Sequence, residues 1–119
     1  LGKKLTVYGD GKQVRDVLFI TDLLKAYDMF IESDLKHGVF NIGGGYKNTL
    51  SLLELLDILE DLTKKRNKIS FKDWRPSDQK VYISNIKHIK NKLNWSPGIK
   101  PAEGVKMLVE WVEYNIKIF

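Results

Sequence analysis

The chain has 119 residues, no cysteine and a formal charge of +5. That size suits one compact domain with a real core, and the lack of cysteine excludes disulfides, thiolate nucleophiles and cysteine-ligated metals, fitting a reducing cytoplasm. Hydrophobic residues make up 43% and charged residues 29%, as in a globular protein, and no apolar run approaches the ~20 residues that span a bilayer, so no membrane partner is expected.

In chain order, Thr6–Tyr8 reads as a strand and Asp10-Gly11 as a turn. Because Leu1 stands almost inside that strand, the chain reads as cut from something longer; a processed mature chain is the other reading. Val14–Ile20 is extended or a short strand. Thr21 is placed to cap a helix whose first residue, Asp22, suits the positive N-terminal end, with Leu23, Leu24, Tyr27, Phe30 and Ile31 at helical spacing. Val39–Ile42 is expected as a short buried strand running into a Gly43-Gly44-Gly45 loop. Ser51 and Glu54 form a capping box that starts a helix to about Thr63, apolar along Leu52, Leu55, Leu56, Leu59 and Leu62.

Ile69–Phe71 is a short strand, Arg75–Asp78 a polar turn and Val81–Ile83 another strand. Ser84 or Asn85 caps a short helix ending near Leu93, and Trp95–Gly98 breaks it. Pro101 opens the last helix, where its missing N–H is no loss, and Val105, Leu108, Val109, Trp111 and Val112 are its expected buried face. The class is α/β, with short strands and about four helices over a single domain, residues 1–119. Strands this short look like pieces that extend or pack onto a neighbouring domain.

The chemistry-bearing residues are few. His37 and His88 fall in a turn and on a lysine-rich helix, positions that suit solvent better than catalysis, and no spacing suggests a metal. The runs Lys64–Lys68 and Lys87–Lys92 read as solvated faces, and without interleaved aromatics they argue against a nucleic-acid partner. Gly43–Gly45 can cradle a phosphate or simply turn the chain; neither a strand–GxGxxG–helix fingerprint nor a P-loop is present. Arginine is more telling. The chain has seventeen lysines and three arginines, and only Arg66 lies in a basic run. A guanidinium offers a planar fork of donors that lysine does not. Arg15 and Arg75 therefore either pair with a neighbouring carboxylate, Asp16 or Asp78, or grip phosphate; the residues alone leave both open.

The stretch Val7-Tyr8-Gly9-Asp10-Gly11-Lys12-Gln13-Val14-Arg15-Asp16-Val17-Leu18 resembles the VYGDGxQxRDxxxVxD segment of extended short-chain dehydrogenase/reductase enzymes acting on nucleotide sugars. Phe40–Gly44, Arg75–Asp78 and Leu93–Pro97 resemble that family's fNigg, RPGD and LGWxP motifs, in order and across essentially the whole chain. Gly43–Ser51 and Asp73–Gln79 look most similar to the CDP-paratose 2-epimerase (CDP-tyvelose epimerase) group. Departures are small: Ile20-Thr21-Asp22 for Val-Asp-Asp, Ser77 for glycine and Ser84-Asn85 for Ser-Asp.

The resemblance implies the C-terminal, substrate-binding region of an extended Rossmann-type NAD-dependent epimerase or dehydratase. Arg15 and Arg75 would hold the diphosphate of a nucleotide sugar, a CDP-sugar by the subgroup. Asp78 would accept from the ribose hydroxyls, Thr6 and Tyr8 would line the base pocket, and Tyr82 would stand beside the sugar. The family's GxxGxxG cofactor loop and YxxxK pair are not in this sequence: Tyr27 and Tyr46 lack a lysine four residues on, and Lys12 follows Tyr8 only across a turn. The chain alone is therefore expected neither to bind NAD tightly nor to turn over substrate. Its expected partner is the N-terminal Rossmann domain, and a homodimer can form through the faces that domain would cover. A stand-alone nucleotide-binding or interaction module is the rival reading.

Overall fold

The computed structural model describes residues 4–118. Two small sheets and four helices make up its frame. β1 (Leu5–Tyr8) pairs in parallel with β4 (Ile69–Lys72), in register from Leu5 opposite Ile69 to Tyr8 opposite Lys72. The second sheet has β2 (Val14–Asp16) at its centre, antiparallel to β3 (Thr49–Ser51) on one side and parallel to β5 (Val81–Tyr82) on the other.

The helices are α1 (Ile20–Ile31), α2 (Leu52–Thr63), α3 (Lys87–Leu93) and α4 (Pro101–Tyr114). The expected capping box at Ser51 forms: Glu54 N donates to Ser51 Oγ, and Ser51 N donates to Glu54 Oε2 at 2.7 Å. Pro101 takes the first turn of α4. α1 starts two residues before the expected point. Phe19 is its N-cap, Thr21 makes no capping bond, and the buried Asp22 reaches to another part of the chain. Neither Ser84 nor Asn85 is the N-cap of α3, which is Ile86 without a side-chain cap; Asn85, one residue earlier, accepts from Lys87 N through its Oδ1.

The core lies between α1 and α3. Ala26, Ile89, Leu93 and Trp95 are buried together, with Phe30, Phe40 and Ile42 half-buried against them. Asp22 locks this unit. Its carboxylate accepts from Gly98 N and Ile99 N at 3.0 and 2.9 Å, and its carbonyl accepts from Trp95 Nε1 at 3.0 Å. Asn48, fully buried, donates to the carbonyl of Ile99 from the other side. These bonds fasten α1, the Gly43–Asn48 loop and the Trp95–Lys100 segment, while the buried polar groups stay satisfied.

Three expectations need correction. Val39–Ile42 is not a strand: Phe40 and Ile42 turn inward while Val39 and Asn41 face outward, yet no strand among the described residues lies alongside to complete a ladder. The alternation is that of a strand; the partner is missing. Second, the apolar face expected to be buried on α4 is only partly covered, with Leu108 and Trp111 each more than half exposed. Third, the core is smaller than the length suggests. The radius of gyration is 16.9 Å, against roughly 13.5 Å for a compact chain of this length. α1 accordingly leaves Ile20, Leu24, Tyr27 and Ile31 exposed along one face. Periodicity reveals that a helix has an apolar face; it does not say what covers it.

Candidate functional site

Five of the six residues singled out from sequence converge on the junction between the two sheets. Strand geometry explains how. Residues paired across a sheet share a face, so Arg15 stands between Leu50 of β3 and Tyr82 of β5. Leu50 is buried and Tyr82 half exposed, so this face is closed on the β3 side and open on the β5 side. Arg15 Nη2 donates to Asp78 Oδ1 at 3.1 Å, and Nη1 donates to the Val14 carbonyl at 2.8 Å. Of the two carboxylates that sequence offered, Asp78 is the partner. Asp16 follows Arg15 on the same strand and faces the other way, where its Oδ2 accepts from Gly45 N at 2.9 Å.

Arg75 belongs to the same turn as Asp78, whose N–H donates to the Arg75 carbonyl. Its guanidinium lies over the ring of Tyr8, 4.0 Å from the ring centre. Among the described residues it forms no ion pair with a carboxylate, so its fork of donors has no counter-ion. Tyr8, Arg75, Asp78, Arg15 and Tyr82 thus form a continuous chain of neighbours. Thr6 stands apart, further back on β1, with its hydroxyl 3.4 Å from that of Ser70.

Two local features build this corner. Ser77 sits at φ +64 in the turn that carries Arg75 and Asp78, a left-handed conformation better suited to glycine. Gly9, at φ +84, lets the chain after β4 pass close by; a Cβ there would fall 2.7 Å from the Trp74 ring. Sequence reasoning missed Gln13. Its Nε2 donates to the Tyr8 carbonyl at 3.0 Å, tying β1 to β2, and its Oε1 is buried and accepts no hydrogen bond among the described residues. Its place between the Tyr8-Gly9 turn and Arg15 was the available signal.

The glycine triplet is a turn. Gly43, Gly44 and Gly45 are buried, Gly45 N is engaged by Asp16, and the next residues form a short 3-10 turn instead of a helix start aimed at a ligand. The described residues therefore do not fit a dinucleotide phosphate cradle. A cavity of about 700 Å³ opens beside them, lined by Lys47, Lys87, Lys90 and Lys100 and by none of the six predicted residues. Those ammonium groups supply charge without the planar fork of the arginine corner. His37 and His88 are exposed, His88 resting against Phe40 at 5.1 Å between ring centres. Among the described residues no cluster of acids and histidines could hold a metal ion, and no helix is long and apolar enough to cross a membrane.

Comparison with known proteins follows the same lines. The family model described as GDP-mannose 4,6 dehydratase matches residues 1–108. The chain is 39% identical over 113 residues to a CDP-paratose 2-epimerase of Salmonella typhi, covering 93% of this chain and 33% of that protein. It is 34% identical over 116 residues to a UDP-glucuronate 4-epimerase of Thermodesulfobacterium geofontis, covering 98% and 35%. Among solved structures, the UDP-glucuronic acid 4-epimerase of Bacillus cereus, in complex with UDP-glucuronic acid and NAD, superposes with a TM-score of 0.86 at 27% identity, over 96% of this chain and 36% of that one. The chain thus spans about a third of the length of the relatives it matches.

Proposed function

The chain belongs to the GDP-mannose 4,6 dehydratase family, and from that premise we propose that it is the part of an NAD-dependent nucleotide-sugar epimerase that holds the nucleotide diphosphate. The observation that carries this reading is the arginine corner. Arg15 is fixed by Asp78, and Arg75 on the same turn as Asp78 has no counter-ion among the described residues, which is an arrangement ready to receive phosphate oxygens. Asp78 has a second carboxylate oxygen with which to accept from ribose hydroxyls, and Tyr82 stands beside Arg15 where the sugar would begin. Thr6 and Tyr8 line the base end.

The corner lies on an open sheet junction and not in an enclosed cavity, which suits one wall of a cleft. The other wall would be a Rossmann domain carrying NAD, and the exposed apolar faces of α1 and α4 are suited to meet it. In the absence of that domain the same faces favour a homodimer. The chain's contribution is positioning: binding energy gained at the diphosphate orients a sugar whose reacting carbon lies elsewhere. With no dinucleotide site among the described residues, the redox step belongs to other residues of the parent, a cytoplasmic enzyme on this reading. The CDP-sugar substrate and epimerisation at C2 are the finer proposal and rest on the 39% identical relative. A 4-epimerase acting on a UDP-sugar is the second reading, favoured by the 34% match.

Calorimetry tests the proposal. Arg75→Ala in the parent enzyme should weaken nucleotide diphosphate binding by about 1.5–3 kcal/mol, about one to two decades in affinity. An unchanged CDP and UDP affinity removes the clamp. A preference between the two nucleotides decides between the finer readings.

A further inference from the structure

We infer that Tyr8 is a positioning residue for Arg75, acting on the phosphate grip through a cation–π platform and independently of any contact with the base. This rests on the clamp reading above. The guanidinium carbon lies 4.0 Å from the Tyr8 ring centre, well inside the range for attraction between a cation and an aromatic face. A guanidinium seated over a ring is held through its charge and keeps N–H donors free for phosphate oxygens. Arg75 is otherwise exposed and has no carboxylate partner among the described residues, so the ring is what holds this long side chain in one place.

The platform itself is tied down. Tyr8 ends β1 opposite Lys72, its carbonyl accepts from Gln13 Nε2, and the next N–H, that of Gly9, donates to the Lys72 carbonyl at 2.8 Å. The strap that delivers Arg75 is fitted to the same spot: the Trp74 ring lies where a side chain on residue 9 would stand, with Lys80 5.7 Å from that ring. Tyr8-Gly9 and Trp74-Arg75 therefore interlock as two dipeptides, aromatic ring under guanidinium and glycine under indole. The phenol hydroxyl plays no part in the stack, so phenylalanine should serve as well as tyrosine.

Inorganic pyrophosphate is the deciding probe because it carries phosphates and no base. Titrated into the isotope-labelled 119-residue chain and followed by amide and arginine side-chain NMR, it should bind Tyr8→Leu about threefold to tenfold more weakly than the native chain. Tyr8→Phe should bind as the native chain does. The Tyr8→Leu, Arg75→Ala double variant should bind no more weakly than Arg75→Ala alone, as expected when two residues act as one unit. Without ligand, the Arg75 side-chain protons should show an upfield ring-current shift in the native chain and in Tyr8→Phe, a readout that needs no folded leucine variant. Absence of that shift, or native pyrophosphate affinity in a folded Tyr8→Leu alongside a loss in Arg75→Ala, overturns the inference and leaves the clamp standing. Native affinity in Arg75→Ala overturns the clamp and the inference with it.

Discussion

The two halves of this molecule are held by different means. Around Trp95, side chains from α1, α3 and the following loop are buried together and Asp22 satisfies two backbone N–H groups at once. Around Arg75, two strands of four residues and a turn with a left-handed serine support side chains that range from half-buried to exposed. The first region is built from burial, its core side chains committed to one another. The second is built from geometry and contributes little to stability. Substitutions should therefore separate the two, stability changing in one and binding in the other.

The largest effect is expected at Trp95. Trp95→Ala removes a side chain that is 1% exposed and should cost about 3–5 kcal/mol, read as a fall in the urea midpoint or as loss of the cooperative transition. A native-like midpoint would mean the region is not the core. Arg75→Ala comes next and is the mirror image. Its calorimetric loss of diphosphate affinity, set out above, should come with a stability change within about 0.5 kcal/mol, since the residue is exposed.

Ser51→Ala should cost about 1 kcal/mol by removing the cap of α2, measured by thermal unfolding, with pyrophosphate binding untouched. The same capping box should respond to pH. The Glu54 carboxyl is held below its ordinary value by hydrogen bonds from the Ser51 hydroxyl and backbone N–H. A lowered folded-state pKa stabilises above the unfolded value and is lost as pH falls through the folded one. Protection of the amides at the first turn of α2, taken relative to their intrinsic exchange rate at each pH, should therefore fall on acidification below the ordinary glutamate range. The smallest effect is a gain: Ser77→Gly relieves φ +64 and should raise stability by about 0.5 kcal/mol, without moving Arg75 off Tyr8 in the ring-current readout.

What could be read from sequence follows how local each feature is. The Ser51–Glu54 box spans four residues and was visible at once. The choice of Asp78 over Asp16 for Arg15 joins positions 63 apart, but strand alternation alone already turns Arg15 and Asp16 to opposite faces. The stack of Arg75 on Tyr8 was not visible, because it depends on the parallel pairing of β1 with β4, which no local pattern specifies. Asp22 was read as a helix-dipole residue, and its role as a double acceptor for Gly98 and Ile99 needed the return of the chain. At the corner itself, residue types and a family resemblance singled out six residues, of which the fold brings five together in an order that no local pattern specifies.

Val39–Ile42 has a practical consequence. Its outward residues alternate with inward ones anchored on Phe40 and Ile42, and none of its backbone groups enters a ladder among the described residues. An extended stretch with open N–H and C=O groups is a template for whatever strand reaches it first. A strand brought by the rest of the parent enzyme would find its missing partner there.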